Sequence, residues 1–113
     1  MKLVALAAIV EALLVPSALA ATPTLTGTVG PGFTITLKKG TAKVTKLKAG
    51  AYVIKVSDKS SIHNFRLKGP GVNKATTVGG TGTSTWKVTL KKGKYTFVCD
   101  PHASIMKGSF TVS

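Results

Sequence analysis

From Thr24 to the C-terminus the chain is built of short runs in which apolar and polar side chains alternate, each ended by glycine, proline or a Lys-Gly turn. Alternation sends successive side chains to opposite faces of an extended strand. Almost no stretch of this region carries a helical period, so helical bundles and parallel α/β folds are excluded. In Phe33-Thr-Ile-Thr-Leu37 the odd positions are apolar, and in Trp86-Lys-Val-Thr-Leu90 the even ones are. The pattern predicts strands over Leu25–Val29, Phe33–Leu37, Ala42–Lys46, Tyr52–Ser57, Ile62–Leu67, Thr85–Leu90, Tyr95–Cys99 and Ser109–Val112. Many short strands with frequent turns predict an all-β antiparallel sandwich or barrel of about eight strands.

A local echo selects the sandwich. Leu47-Lys-Ala-Gly-Ala-Tyr52 matches Leu90-Lys-Lys-Gly-Lys-Tyr95, and each leads into a strand. Leu, then Gly, then Tyr two residues on is the pattern of a tyrosine corner in a Greek-key β-sandwich. There the ring packs at the core edge and the hydroxyl bonds to backbone upstream. The stretch Lys68–Ser84 is rich in Gly and Thr and poor in apolar residues. It reads as a long connection with one short edge strand at Ala75–Val78. Its glycines lack the spacing and the following helix of a phosphate loop.

The N-terminus is of another kind. Met1-Lys2 is followed by an apolar run from Leu3 to Val15, then Pro16-Ser17 and Ala18-Leu19-Ala20. This order predicts a secretory signal peptide over residues 1–20, cut after Ala20. Glu11 and Pro16 interrupt the run, which is too short for a membrane span. Residues 21–113 then form one small domain, exported to the periplasm or the extracellular space and soluble after cleavage. So small a core is marginal without a staple, and a single cysteine, Cys99, forms no internal disulfide. An odd cysteine in an exported chain points to an intermolecular bridge, a reactive thiol or a metal ligand.

The charge is one-sided. The chain has 16 basic and 3 acidic residues, net +13, and loss of Lys2 and Glu11 with the signal leaves that value unchanged. The remaining acids are Asp58 and Asp100. The lysines are scattered rather than blocked, which suits a solvated surface and also attraction to an acidic partner or an anionic cell envelope. Few aromatics, no recognition-helix pattern and the export signal argue against nucleic acid.

The chemistry gathers near the C-terminus, in Cys99-Asp-Pro-His102-Ala-Ser-Ile-Met106. A thiolate, an imidazole and a thioether within one loop form a ligand set for a soft transition metal. His63, the only other histidine, adds a second imidazole. Two His, one Cys and a weak Met select copper and describe an electron-transfer site, because a trigonal plane of two imidazoles and one thiolate suits both oxidation states. Each residue also has a plainer reading: Cys99 as a small buried hydrophobe, His102 as a loop residue, Met106 as core filler. Zinc is disfavoured, since there is no second cysteine and thioethers are not its usual ligands. Cys99 ends a predicted strand, Pro101 breaks the ladder, and Gly108 admits the chain to the last strand.

Taken with His63-Asn64, Gly93-Lys-Tyr95-Thr-Phe-Val-Cys99, Pro101-His102 and Met106-Lys-Gly108, the chain from about Thr24 to Val112 resembles the cupredoxins, the small blue type 1 copper proteins, nearest to plastocyanin and amicyanin. The resemblance implies an eight-stranded Greek-key sandwich, copper held by His63, Cys99, His102 and Met106, and one-electron transfer. It assigns Asn64 to tying the two ligand loops together. The chain departs from the family at Asp100, a position often held by Ser or Thr, where a carboxylate beside the thiolate lowers the potential if ionised. It departs again at Val98, where plastocyanins carry an aromatic associated with an acidic docking patch.

The expectation is therefore an exported, monomeric copper protein that carries single electrons to and from a redox partner of acidic surface. The apolar rim of Ile62, Pro101, Ala103 and Ile105 around His102 would be the transfer edge. The competing function is an extracytoplasmic copper-sequestering protein without a redox partner, since both need the same ligands. Catalysis is not expected: no Ser-His-Asp set or carboxylate pair stands out, and the metal site is fully ligated.

Overall fold

In the computed structural model, which describes residues 21–113, the chain forms two stacked sheets. The expected signal segment 1–20 lies outside the described residues. The strands are β1 (Thr24–Val29), β2 (Ile35–Lys39), β3 (Ala42–Lys43), β4 (Lys46–Leu47), β5 (Gly50–Asp58), β6 (Arg66–Gly69), β7 (Val72–Ala75), β8 (Gly82–Leu90), β9 (Gly93–Val98) and β10 (Lys107–Val112). A first sheet has the order β3-β2-β1-β5-β8 and a second the order β4-β10-β9-β6-β7. Pairing is antiparallel except between β1 and β5 and between β4 and β10. Among the described residues the one helical element is a 3-10 turn at Asp100–His102.

The period-2 pattern sets the burial. Along β5, Tyr52, Ile54, Val56 and Asp58 point inward and alternate with exposed or half-buried neighbours. The two inner faces meet in one core, in which Phe65 stacks on Phe97 with ring centroids 5.8 Å apart and Tyr95 stacks on Phe110 at 5.3 Å. Gly27 and Gly108 lie under the Phe65 and Phe97 rings, where an added Cβ would collide with them. Gly27 thus makes room for Phe65 and Gly108 for Phe97, its partner on the neighbouring strand.

Both repeat tyrosines behave as corner residues. Tyr52 Oη donates to the Lys48 carbonyl at 2.7 Å. Tyr95, fully buried, accepts from the Lys91 amide at 2.9 Å and donates to the Pro70 carbonyl at 2.7 Å.

The strand pattern differs from the expectation in four places. The expected Ala42–Lys46 strand is split: β3 pairs with β2 in the first sheet and β4 with β10 in the second, with buried Val44 at the crossing. This division and the edge strand β7 bring the total from the expected eight to ten. The expected Ile62–Leu67 strand starts only at Arg66, because the amides before it bond side chains: Ile62 to Ser60 Oγ (3.2 Å), Asn64 to Cys99 Sγ (3.4 Å) and Phe65 to Thr76 Oγ1 (2.9 Å). Such local side-chain bonds compete with ladder pairing. The edge strand in the long connection is Val72–Ala75, not Ala75–Val78. Phe33 lies in the turn before β2 and is 56% exposed, so it leaves the expected inward row.

Candidate metal centre

Register puts the candidate ligands together. In the antiparallel β6–β9 pair, Arg66 faces Val98. Just beyond this pair Asn64 reaches both Cys99 Sγ and Asp100 by hydrogen bonds. His63 therefore reaches the end of β9 although it is 36 residues from Cys99 in sequence. Past Val98 the chain folds into a closed loop. The His102 amide bonds the Cys99 carbonyl (3.0 Å), the Met106 amide bonds the His102 carbonyl (2.9 Å), and the Cys99 amide bonds the Met106 carbonyl (3.0 Å). Pro101 sits in the first turn of the short helix, where its missing N–H costs nothing.

Three of the four predicted ligands converge on one point. His63 Nδ1 and His102 Nδ1 are 3.1 Å apart, and Cys99 Sγ is 3.7 Å and 3.6 Å from them. A position equidistant from these atoms lies about 2.0 Å from each, the length of a metal–imidazole bond (~2.0–2.1 Å). The donor set, one thiolate and two imidazoles in a trigonal arrangement, is that of a potential copper site. Cys99 and His63 are fully buried, while His102 is half-buried. Met106, the fourth predicted residue, is 1% exposed and is held next to Cys99 by the backbone bond that closes the loop.

With Nδ1 of His63 turned to this point, its proton belongs on Nε2, which is buried and has no hydrogen-bond partner. Such an orphan costs about 1–3 kcal/mol.

Around these donors lies a polar frame. The Asn64 amide N–H points at Cys99 Sγ at 3.4 Å. The Asn64 side chain accepts from the Asp100 amide (2.7 Å) and donates to Asp100 Oδ2 (2.8 Å) and to the Thr76 carbonyl (3.2 Å). It thus joins the His63 segment, the Cys99–Met106 loop and the strand connection after β7. The Arg66 guanidinium bonds the Asp100 carboxylate and holds it below the usual carboxylate range; the Asn64 bond adds to this, and burial opposes it.

Arg66 is the residue that sequence reasoning misses. The available signal is that it is the only arginine among fifteen lysines and lies three positions after His63. Phe33 also belongs to the site rather than to a strand. Its ring stands edge-on to both imidazoles, with centroids 4.9 Å from each. The residues expected to form the rim are exposed, Ile62 at 54% and Ile105 at 66% with Pro101 and Ala103, and Phe33, in contact with the His102 ring, is exposed as well.

No match was found among curated protein sequences. Solved structures of similar fold include a methionine-to-glutamine variant of rusticyanin (20% identity over 83% of this chain and 79% of that one, TM-score 0.61). Reduced rusticyanin matches at 20% identity over 83% and 82% with TM-score 0.60. Rusticyanin from Thiobacillus ferrooxidans matches at 20% over 83% and 79% with TM-score 0.58. The sequence profile of the cupredoxin-like domain spans residues 3–112, and the chain belongs to that family.

Proposed function

We propose that this chain is an exported type 1 copper protein that carries single electrons. The observation that carries the reading is the triangle of His63 Nδ1, Cys99 Sγ and His102 Nδ1, whose centre suits one metal ion of the copper type. Met106 would be a weak fourth donor, favoured by its burial in the same loop. A similar fold is described as that of a copper protein, rusticyanin. Copper, when bound, supplies the Cu(II)/Cu(I) couple.

The chain's own residues provide the rest. The Asn64 amide donates to the sulfur and fixes its position. The loop bonds hold the donors in one arrangement, so little needs to move when charge changes. Phe33 packs in T-shaped contact with both imidazoles. The signal segment, cut after Ala20, would release residues 21–113 outside the cytoplasm.

The apolar rim favours electron transfer over sequestration. A storage site gains nothing from opening His102 among exposed Phe33, Ile62 and Ile105, whereas close approach of a partner shortens the electron path there. Asp58 is buried and Asp100 is paired with Arg66, the only ion pair among the described residues. No lysine of the described residues therefore forms an ion pair, and an acidic partner or an anionic envelope would be steered toward them.

Stopped-flow exchange between the copper-loaded protein and redox proteins of acidic surface tests this. Association should be fast at low salt and slow steeply as the Debye length falls to about 8 Å at 0.15 M. Ala103→Asp or Ile105→Asp should slow transfer even at high salt. A blue protein that exchanges electrons with no partner would turn the reading to sequestration.

A further inference from the structure

Arg66 contributes nothing to the core, yet it makes the most directional polar contacts near the ligands. Its Nε lies 2.9 Å and 3.1 Å from the two Asp100 carboxylate oxygens, its Nη2 is 2.9 Å from Oδ2, and its Nη1 donates to Asn73 Oδ1 at 2.8 Å. The guanidinium thereby joins β6, β7 and the turn that follows Cys99. A planar fork suits this, since an ammonium makes point contacts and not two parallel bonds. Asp100 in turn is locked to Asn64 by two reciprocal bonds. Without Arg66, the residue after the thiolate would present an uncompensated negative charge beside it.

We infer that Arg66 is a positioning and charge-compensating residue of the metal centre. It holds the Cys99–Met106 loop against the His63–Asn64 segment through Asp100, and it cancels the carboxylate that would otherwise depress the reduction potential. This rests on the copper reading for its electrostatic half and not for its mechanical half. The two halves have separate measurements.

The mechanical half is read on the metal-free protein. Cys99 is fully buried, so alkylation by iodoacetamide requires the loop to open, and the rate reports that opening. Arg66→Met should be alkylated about three- to tenfold faster than wild type, a range set by an ion pair that is partly exposed. Arg66→Lys should fall between them. Equal rates in wild type and Arg66→Met would overturn the positioning role, whether or not the protein binds copper.

The electrostatic half is read as the reduction potential of the copper-loaded protein. Arg66→Met should lower it, because the lone carboxylate favours Cu(II). Asp100→Asn should raise it, because the lone guanidinium favours Cu(I). The double variant should return close to wild type, and Arg66→Lys should stay there while still opening faster. Shifts of the same sign in the two single variants, or none, would overturn charge compensation. A purely structural role predicts no such opposition of sign.

Discussion

Replacing Asn64 by alanine tests the frame on which the site depends. Asn64 is 2% exposed and its side chain makes three hydrogen bonds: to the Asp100 amide, the Asp100 carboxylate and the Thr76 carbonyl. A neutral bond of this kind contributes about 1 kcal/mol net, and one to a charged group about 1.5–3 kcal/mol. Asp100 is exposed and its carboxylate keeps Arg66, so water replaces part of what is lost. The expected destabilisation of the metal-free protein is therefore about 2–3 kcal/mol. For a domain of this size each kcal/mol shifts the melting temperature by roughly 4–8 °C, so a fall of about 8–24 °C is expected. Urea and thermal unfolding followed by Trp86 fluorescence and far-UV circular dichroism measure it. The backbone N–H to Cys99 Sγ survives the substitution, so copper should still bind, more weakly. A loss below about 0.5 kcal/mol, with unchanged copper affinity, would refute the idea that Asn64 ties the two ligand segments.

Tyr95→Phe should cost about 1–3 kcal/mol, because the Pro70 carbonyl and the Lys91 amide both lose the buried hydroxyl; urea midpoints compare it with Tyr52→Phe, which loses one bond and should cost less. Met106→Leu should keep copper and colour but raise the potential, since a donor that favours Cu(II) is removed; an unchanged potential and spectrum would place the thioether off the metal. The Asp100 carboxyl has a folded pKa held down first by the Arg66 hydrogen bond. Its stabilisation is full above the unfolded value of about 3.9 and is lost as pH falls through the folded value, so the stability gap between wild type and Arg66→Met should close in acid.

Much of this architecture is legible in the sequence because its two strongest signals are local. Alternation gives Tyr52–Ser57, Thr85–Leu90 and Tyr95–Cys99 close to their final places, since each has a clean inward row against a single core. The corner tyrosines announce themselves through the Leu-x-x-Gly-x-Tyr echo. Segments that owe their form to side chains elsewhere are misjudged. Ala42–Lys46 looks like one strand, and only the demand of two sheets for edge strands divides it. Ile62–Phe65 is apolar enough for a strand, but side chains take its amides: Ser60 Oγ that of Ile62, Cys99 Sγ that of Asn64 and Thr76 Oγ1 that of Phe65. In the site, the thiolate, both imidazoles and Asn64 follow from residue type, spacing and family resemblance. Arg66 and Phe33 do not, because their partners are set by β6–β9 register and by the turn before β2, neither of which a linear pattern displays. Val98 and Asp100 stand out as departures, yet the carboxylate reads as compensated only once its guanidinium is located.

The central claim is most directly tested by adding one equivalent of Cu(II) to the metal-free protein of residues 21–113 and recording visible and EPR spectra. An intense blue thiolate-to-copper band with narrow copper hyperfine splitting is predicted, lost in Cys99→Ala and accompanied by a higher melting temperature in wild type. A colourless or pale complex with the hyperfine pattern of ordinary tetragonal copper would contradict it.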